Sequence, residues 1–398
     1  MTTGTPLRIL FLSIEYPPES PNGIGSYVVE VAAALARRGH EVHVLSCLPD
    51  QARRTYRDGD VWVHRRPRPR LRGLARVVRG ARTAERIRHA IACWRETRGL
   101  GIDFDVVESP DWMAEGLIFA LAGKPLVAHL HTPLAVTAHY GSRARSLDSR
   151  AAALLERLTV ERARLVTAPS RLLADEVARR GWLKGREVRI IPYPIDAGPW
   201  ALASPVASTP PRVLFTGRLE PRKAPEVLVE ASARLAGDVD GIEVLLAGRS
   251  DGRRDGKPYG EWLARRIDDL GAPCRLLGEV PRPEVARLLS SSRVFVLPSR
   301  FENFPVAALE AMAAGRPVVC TTHTGLAELV EGSGAGAAVP RDDPDALARA
   351  LRPYLADASV AAEAGARGQE VIRRTCSPDR IAEERERCYL AVARGSTA

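Results

Sequence analysis

Short apolar runs alternate with segments of helical periodicity along almost the whole chain. Each run has the length of a strand buried on both faces, and apolar residues spaced three and four apart follow it, as in a helix that packs by one face. The predicted strands include residues 7–13, 41–46, 126–130, 165–168, 212–215, 242–247, 294–297 and 318–320. Because strands that alternate with helices form parallel sheets covered by those helices, the pattern predicts the α/β class.

The alternation is interrupted between Pro192 and Pro211, where Pro, Ala and Ser dominate, as in a hinge. A chain of 398 residues is also longer than one hydrophobic core usually supports. We therefore predict two doubly wound, Rossmann-like domains that face each other across a cleft, residues 1–195 and 212–377. The last helix, about 378–398, is expected to pack back onto the first domain.

The segment 299–315 carries the strongest chemical signal. It follows the predicted strand 294–297 and indicates a tight loop and then a helix, because Pro305 suits a first turn and Gly315 suits a helix end. Unpaired amides in the first turn of a helix attract anions. Glu302 in the loop and Glu310 two turns into the helix can bind hydroxyl groups beside that anion. A ligand with both phosphate and hydroxyl groups, such as a sugar nucleotide, meets these requirements.

A second group of residues follows the predicted strand 212–215. Arg218 and Lys223 lie five residues apart around a glycine turn, which suits a diphosphate. Both follow the carboxyl end of a strand, where open α/β sheets bind ligands. We predict that this pair and Glu302 share one edge of the sheet.

The first half has its own candidates. Gly23 and Gly25 lie in a loop before a helix predicted from Ser26, but the third glycine of a dinucleotide fingerprint is missing. His131 follows the strand 126–130 at its carboxyl end, whereas His129 lies inside that strand and is predicted to be a core histidine.

Asp103 and Asp105 have the spacing of a metal-binding Asp-x-Asp motif. They open a predicted strand, at the edge of a parallel sheet opposite to the one that binds ligands. We interpret them as structural and predict that no metal ion is needed.

Composition bounds the location and the partners. No apolar stretch approaches the length of a bilayer span, the polar residues 1–6 are not a signal peptide, and the six scattered cysteines are typical of free thiols, so we predict a cytoplasmic protein.

Within an arginine-rich stretch, 65–98, apolar positions recur at helical spacing. We favour a surface helix with a solvated arginine face. The alternative is weak peripheral contact of residues 71–98 with anionic lipid at the inner face of the membrane, or with an acidic acceptor. Nucleic acid is not expected, since no motif for it accompanies the arginines.

These motifs resemble those of the retaining family 4 glycosyltransferases of the GT-B fold, and the resemblance covers nearly the whole chain. Glu302 and Glu310, with seven residues between them, match that family's glutamate pair. The resemblance implies transfer of a hexose from a nucleotide-diphosphate donor, with a UDP-sugar favoured, to an acceptor hydroxyl, with retention and without a cofactor. It implies catalytic roles for four residues: His131, Arg218, Lys223 and Glu302. It implies that the donor is bound by Gly23, Gly25, Gly217, Arg218, Lys223, Gly248, Glu279, Val280, Glu302, Asn303, Phe304 and Glu310.

The sequence departs from the family's usual pattern in two loops. Asn303 and Pro305 stand where the commonest form of the loop has glycine, and Gly248 is followed by Arg249 and Ser250 instead of an acidic residue and a second glycine. Two other functions stay open. The chain could be a sugar-nucleotide epimerase on the same fold, or a sugar-nucleotide-binding subunit without catalytic activity.

Overall fold

The computed structural model describes residues 5–18, 23–49, 51–68, 81–140, 146–201 and 210–395. The chain divides into two compact units, Met1–Pro194 with Pro378–Ala398 (unit 1) and Ile195–Ser377 (unit 2). All six cysteines are free, as predicted, and five of them are buried. Among the helices of the described ranges, none has the length and apolar character that crossing a bilayer requires.

Unit 1 is built around an eight-stranded sheet. Its strands are β1 (Arg8–Leu12), β2 (Glu41–Leu48), β3 (Arg54–Asp58), β4 (Val61–Pro67), β5 (Val106–Pro110), β6 (Leu126–His129), β7 (Leu165–Ala168) and β8 (Arg189–Ile190). Their order is β3-β4-β2-β1-β5-β6-β7-β8, and every pair is parallel except β3 with β4. The order reverses between β1 and β5, where α/β sheets open a crevice for ligands. The helices of this part are α1 (Gly23–Arg37), α2 (Ala81–Gly99), α3 (Leu117–Leu121), α4 (Leu134–Tyr140), α5 (Leu147–Arg162) and α6 (Arg171–Arg179).

Unit 2 contains a six-stranded sheet in which all pairs are parallel. Its strands are β9 (Arg212–Thr216), β10 (Glu243–Ala247), β13 (Cys274–Gly278), β14 (Val294–Leu297), β15 (Val318–Thr321) and β16 (Gly336–Val339). Their order, β13-β10-β9-β14-β15-β16, reverses between β9 and β14, so this sheet also has a switch point at which a ligand can bind. A short hairpin, β11 (Arg253–Arg254) and β12 (Lys257–Pro258), lies in the loop after β10.

The helices of unit 2 cover this sheet. They are α7 (Pro225–Leu235), α8 (Tyr259–Leu270), α9 (Arg282–Ser290), α10 (Val306–Ala313), α11 (Ala327–Ser333), α12 (Pro344–Ala356) and α13 (Ala358–Thr375). The four residues of β14 are completely buried, which explains why this strand appears in the sequence as an uninterrupted apolar run.

The last helix, α14 (Pro378–Ala393), belongs to unit 1 and packs against α1. A buried ion pair fixes it to the sheet: Arg385 Nη1 lies 2.8 Å from Glu108 Oε2 on β5. The hydroxyl groups of Tyr389 and Tyr27 donate hydrogen bonds to the same carboxylate, at 2.5 and 2.6 Å. The charge of Glu108 is therefore fully compensated inside unit 1.

Two predicted helices of the first half are wrong, and two elements were missed. The apolar pattern of residues 113–121 predicts a single helix, but Met113 and Ala114 have positive φ angles of 62° and 52°, and only α3 follows. Gly116, which lies between Ala114 and α3, packs closely on β5. A Cβ atom at this position would lie 2.7 Å from the Cβ atom of Ser109. The helix expected from Ser26 begins at Gly23 instead. Strand β3 and helix α4 were not predicted, because β3 is a polar edge strand and α4 is short.

Candidate functional site

The loops after β9 and β14 meet at the switch point of the unit 2 sheet. The amide of Arg300 donates to the carbonyl of Arg222 at 2.8 Å, and Arg222 Nη1 donates to the carbonyl of Phe301 at 2.9 Å. These bonds fasten one loop to the other. The prediction that Lys223 and Glu302 share this edge of the sheet is confirmed, since Lys223 Nζ lies 2.7 Å from Glu302 Oε1.

Glu302 is a buried carboxylate between two cations. Arg222 Nη1 donates to its Oε1 at 2.9 Å, beside the ion pair with Lys223. Burial alone would raise the pKa of Glu302, but the charges of Arg222 and then Lys223 hold that pKa at about 2. Glu302 is therefore ionised at any physiological pH and can accept hydrogen bonds from the hydroxyl groups of a ligand.

Glycines end three neighbouring strands at the same edge of the sheet. Gly217, Gly248 and Gly278 follow or close β9, β10 and β13, with φ angles of 147°, 150° and 71°. A Cβ on Gly248 would lie 1.9 Å from the carbonyl oxygen of Gly217, so this position excludes every side chain. The result is a backbone surface that a ligand can approach closely. Directly after Gly278, Glu279 is exposed and Val280 is half-buried.

Arg218 reaches out from the loop after β9 into solvent. Its Nη1 lies 3.2 Å from Asp251 Oδ2, and its Nη2 lies 3.5 Å from Glu220 Oε1. About half of its side chain is exposed, so solvent weakens both ion pairs. Arg218 can therefore turn to an anionic ligand at small cost.

Helix α10 begins beside these loops, directly after Pro305. The amides of Val306 and Ala307 fall in its first turn, where no carbonyl of the same helix is available to them. Asn303 and Phe304, which precede the helix, are buried. The predicted anion-binding geometry is thus present in the backbone of this segment.

Glu310 lies on α10 and is mostly buried. Burial raises its pKa to about 7, although Arg282 on α9 partly opposes this with an ion pair of 3.3 Å between Nη2 and Oε1. Arg282 also covers the ring of Trp200, with its guanidinium carbon 5.2 Å from the ring centroid. Glu310 therefore changes its charge close to neutral pH.

His131 occupies the corresponding edge of the unit 1 sheet. It is buried, its Nδ1 lies 2.5 Å from the hydroxyl of Tyr193, and its amide donates to Asp111 Oδ1 at 2.6 Å. Burial and then the charge of Arg385 lower its pKa to about 3, so the imidazole is neutral. Burial, with the nearby Glu156, raises the pKa of Asp111 to about 8. Both groups can therefore act at neutral pH only as uncharged hydrogen-bonding partners.

Two structural interpretations of the first half are confirmed. His129 is completely buried, and its Nδ1 lies 2.8 Å from Thr167 Oγ1. Asp105 accepts a hydrogen bond of 2.7 Å from the amide of Arg8, at the start of β1. Gly23 and Gly25 lie in the first turn of α1, the former exposed and the latter buried.

The solvated arginine face expected along 65–98 is only partly present where the structure describes it. Arg86 is buried, and its Nη2 lies 2.6 Å from Glu156 Oε1 on α5. Arg65 is buried as well, and it donates to the carbonyl of Tyr16 and to Ser46. In the described part of α2 the exposed arginines are Arg95 and Arg98. Residues 71–80 lie outside the described ranges.

One group of side chains in the described ranges could hold a metal ion. Cys93 Sγ lies 3.7 Å from His89 Nε2, which lies 3.4 Å from Glu115 Oε2, and all three residues are buried. Glu115 also accepts a hydrogen bond from the amide of Ile14. Because all three side chains are enclosed in the core of unit 1, we assign this group a structural role.

The sequence reasoning missed four residues of these sites: Arg222, Arg282, Asp111 and Tyr193. Arg222 directly precedes Lys223 and, among so many arginines, carried no signal of its own. Asp111 could have been found, because it lies just beyond the carboxyl end of the strand that Asp103 and Asp105 open, which the structure extends to Pro110.

Comparison with known proteins gives consistent matches over both units. Residues 21–198 match the family model described as Glycosyltransferase Family 4, and residues 210–357 match the one described as Glycosyl transferases group 1. The chain is 31% identical to phosphatidyl-myo-inositol mannosyltransferase of Mycolicibacterium smegmatis, over 90% of this chain and 88% of the relative. It is 29% identical to glycogen synthase of Mycobacterium tuberculosis, over 98% and 96% of the two chains. Its fold is similar to that of Anabaena Alr3699/HepE, solved in complex with UDP and glucose, with a TM-score of 0.70, 20% identity and coverage of 97% of this chain and 100% of that one.

Proposed function

This chain belongs to the family 4 glycosyltransferases, and we propose that it transfers a hexose from a nucleotide-diphosphate donor to an acceptor hydroxyl with retention at the anomeric carbon. Its fold is GT-B, and it is a glycosyltransferase that uses a sugar-nucleotide donor. The observation that supports the finer proposal is the meeting of Lys223 and Glu302, with Arg218 nearby, at the switch point of the unit 2 sheet. We favour a UDP-sugar, because the similar structure holds UDP and glucose.

Each group in this site has a role in the proposal. Arg218 and Lys223 bind the diphosphate and stabilise the negative charge that develops on it as the glycosidic bond breaks. Glu302 and the amides of Asn303 and Phe304 hold the sugar, and Glu310 binds the ribose. With the leaving phosphate assisting attack from the same face, the configuration is retained. For His131 we keep the catalytic role that the family resemblance implies.

The acceptor is assigned only as a hydroxyl group, and no specific location is assigned. The two relatives are named for different products, so we assign no acceptor beyond a hydroxyl group. The contact of residues 71–98 with anionic lipid at the inner face of the membrane stays a prediction. The burial of Arg86 removes one of the charges on which that prediction rested.

A panel of labelled nucleotide sugars tests the function. We expect the chain to release nucleoside diphosphate from at least one of UDP-glucose, GDP-mannose and ADP-glucose when simple saccharide and inositol acceptors are present. An altered sugar still attached to its nucleotide would instead indicate an epimerase. A donor-dependent rise in melting temperature without release would indicate a binding subunit.

The same assay with EDTA tests whether a metal ion is needed. We expect the rate to be nearly unchanged, since Arg218 and Lys223 already supply the positive charge that stabilises the leaving diphosphate. Loss of activity in EDTA that Mg²⁺ or Mn²⁺ restores would contradict this proposal.

Donor affinity is expected to depend on pH through Glu310. Because burial raises the pKa of this carboxyl to about 7, it gains its charge as the pH rises through neutrality, and the charged form is the better acceptor for ribose hydroxyl groups. The affinity for UDP-glucose, measured by calorimetry, should therefore increase up to about tenfold between about pH 6 and about pH 8. Glu310→Ala should weaken binding at the higher pH by roughly 1.5–3 kcal/mol, and Glu310→Gln should abolish the pH dependence. An equal pH dependence in the Gln variant would show that another group titrates.

A further inference from the structure

The loop after β9 carries a third cation, Arg222, whose partners differ from those of Arg218 and Lys223. Its Nη1 donates to the carbonyl of Phe301 and to Glu302 Oε1, both at 2.9 Å, and its Nη2 donates to Glu220 Oε1 at 2.6 Å. Its side chain is 17% exposed. A planar guanidinium held by three acceptors keeps one orientation, and here that orientation is toward Glu302.

Lys223 contacts the same carboxylate oxygen in a different way. Its ammonium group lies 2.7 Å from Glu302 Oε1 at the end of a flexible stem that runs beside Gly217. Within the described ranges, Glu302 is the carboxylate with which Lys223 forms an ion pair. A single ion pair on a flexible stem can be exchanged for another anion, whereas the fork of Arg222 cannot leave without breaking several bonds.

We propose that Arg222 is the positioning residue for Glu302, and that it stays paired with Glu302 while Lys223 exchanges this carboxylate for the donor diphosphate. This inference rests on the proposed function, in which Lys223 binds the diphosphate and Glu302 holds the sugar. One cation cannot serve both anions at full strength. With two cations at Glu302, one can turn to the donor and the other keeps the buried carboxylate compensated.

The surroundings of Glu302 support this division of roles. The charged groups that face it from the loop after β9 are Arg222, Lys223 and, through Arg222, Glu220. The loop after β15 contributes His323, whose carbonyl accepts from the amide of Glu302. Burial opposes the ionisation of Glu302, and among the effects that lower its pKa the charge of Arg222 is the largest, followed by the charge of Lys223. Without Arg222, protonation of Glu302 would therefore begin at a higher pH, and it would do so most readily with donor bound.

The test compares Arg222→Met and Arg222→Lys with the wild type, using UDP and UDP-glucose as probes. We expect Arg222→Met to bind UDP within about twofold of the wild type and to lower kcat with UDP-glucose roughly 10- to 100-fold, since it loses a hydrogen bond between charged groups. As the pH is lowered, kcat of Arg222→Met should begin to fall at a higher pH than kcat of the wild type does. Arg222→Lys, which keeps the charge but not the fork, should restore part of the turnover and most of the acid tolerance.

Arg266→Met is the matched control, because Arg266 on α8 also pairs with a carboxylate, Glu230, at 2.9 Å. Its affinity for UDP, its kcat and its pH profile should equal those of the wild type. The positioning role is overturned if Arg222→Met weakens the binding of UDP by the same factor by which it lowers kcat. It is also overturned if this variant keeps the kcat and the pH profile of the wild type. Failure of the wild type to bind either probe or to release UDP would instead refute the proposed function. If Arg222→Met does not fold, the kcat of Arg222→Lys decides, because loss of the fork alone should still reduce kcat, and a kcat equal to that of the wild type would overturn the positioning role.

Discussion

Replacing Lys223 or Arg218 by alanine is expected to lower kcat by about 10²–10³, with a smaller effect on the binding of the nucleotide sugar. Once the donor is bound, each cation acts on a charge that grows only as the glycosidic bond breaks. The two substitutions differ in one respect. Lys223→Ala also removes an ion pair of Glu302, whereas Arg218→Ala leaves Glu302 untouched. Steady-state release of nucleoside diphosphate, with kcat and KM determined separately, measures both effects.

Lys184→Ala is the control for this experiment. Lys184 also pairs with a carboxylate, Glu161, at 2.9 Å, but it lies in unit 1 and its side chain is mostly exposed. It should keep the kcat of the wild type. An increase in KM with unchanged kcat for Arg218→Ala would show that this arginine binds the donor and the transition state equally, contrary to the proposed role.

The largest loss of stability is expected for Arg385→Ala. Glu108 is completely enclosed, and removing Arg385 would leave its charge with only the two tyrosine hydroxyl groups, Tyr27 and Tyr389. Breaking a buried ion pair in this way costs about 3–5 kcal/mol. Urea unfolding followed by a probe in unit 1, together with protease cleavage near α14, should show the loss.

Arg387→Ala provides the comparison on the same helix. Arg387 pairs with Glu383 one turn away and is 70% exposed, so its removal should change stability little. The double variant Glu108→Ala with Arg385→Ala should be more stable than the sum of the single losses predicts, because neither charge is then left alone. Equal losses for Arg385→Ala and Arg387→Ala would contradict the anchoring role of the buried pair.

The sequence was sufficient to predict the meeting of Lys223 with Glu302. Each of the two follows a buried parallel strand, and the carboxyl ends of such strands share one edge of a sheet. The prediction needed only the strand–helix alternation and the position of each residue after its strand. Strand boundaries such as those of β9 and β14 follow from the same apolar runs.

Partnerships across long stretches of chain could not be predicted in this way. Arg385 and Glu108 are 277 residues apart, and Arg86 and Glu156, on α2 and α5, are 70 residues apart. In the sequence these arginines look like any exposed arginine on a helix. The role of Arg222 was missed for a related reason, since the direction of its side chain depends on how two loops join.

The position of a bound nucleoside diphosphate is the most direct test of the donor site. In crystals grown with UDP and EDTA, we expect phosphate oxygens within hydrogen-bond distance of Arg218 and Lys223, and ribose hydroxyl groups on Glu310. Lys223 Nζ should have moved away from Glu302, while Arg222 keeps its contact with that carboxylate. A diphosphate bound elsewhere, with Lys223 and Glu302 still paired at 2.7 Å, would contradict both the donor site and the exchange.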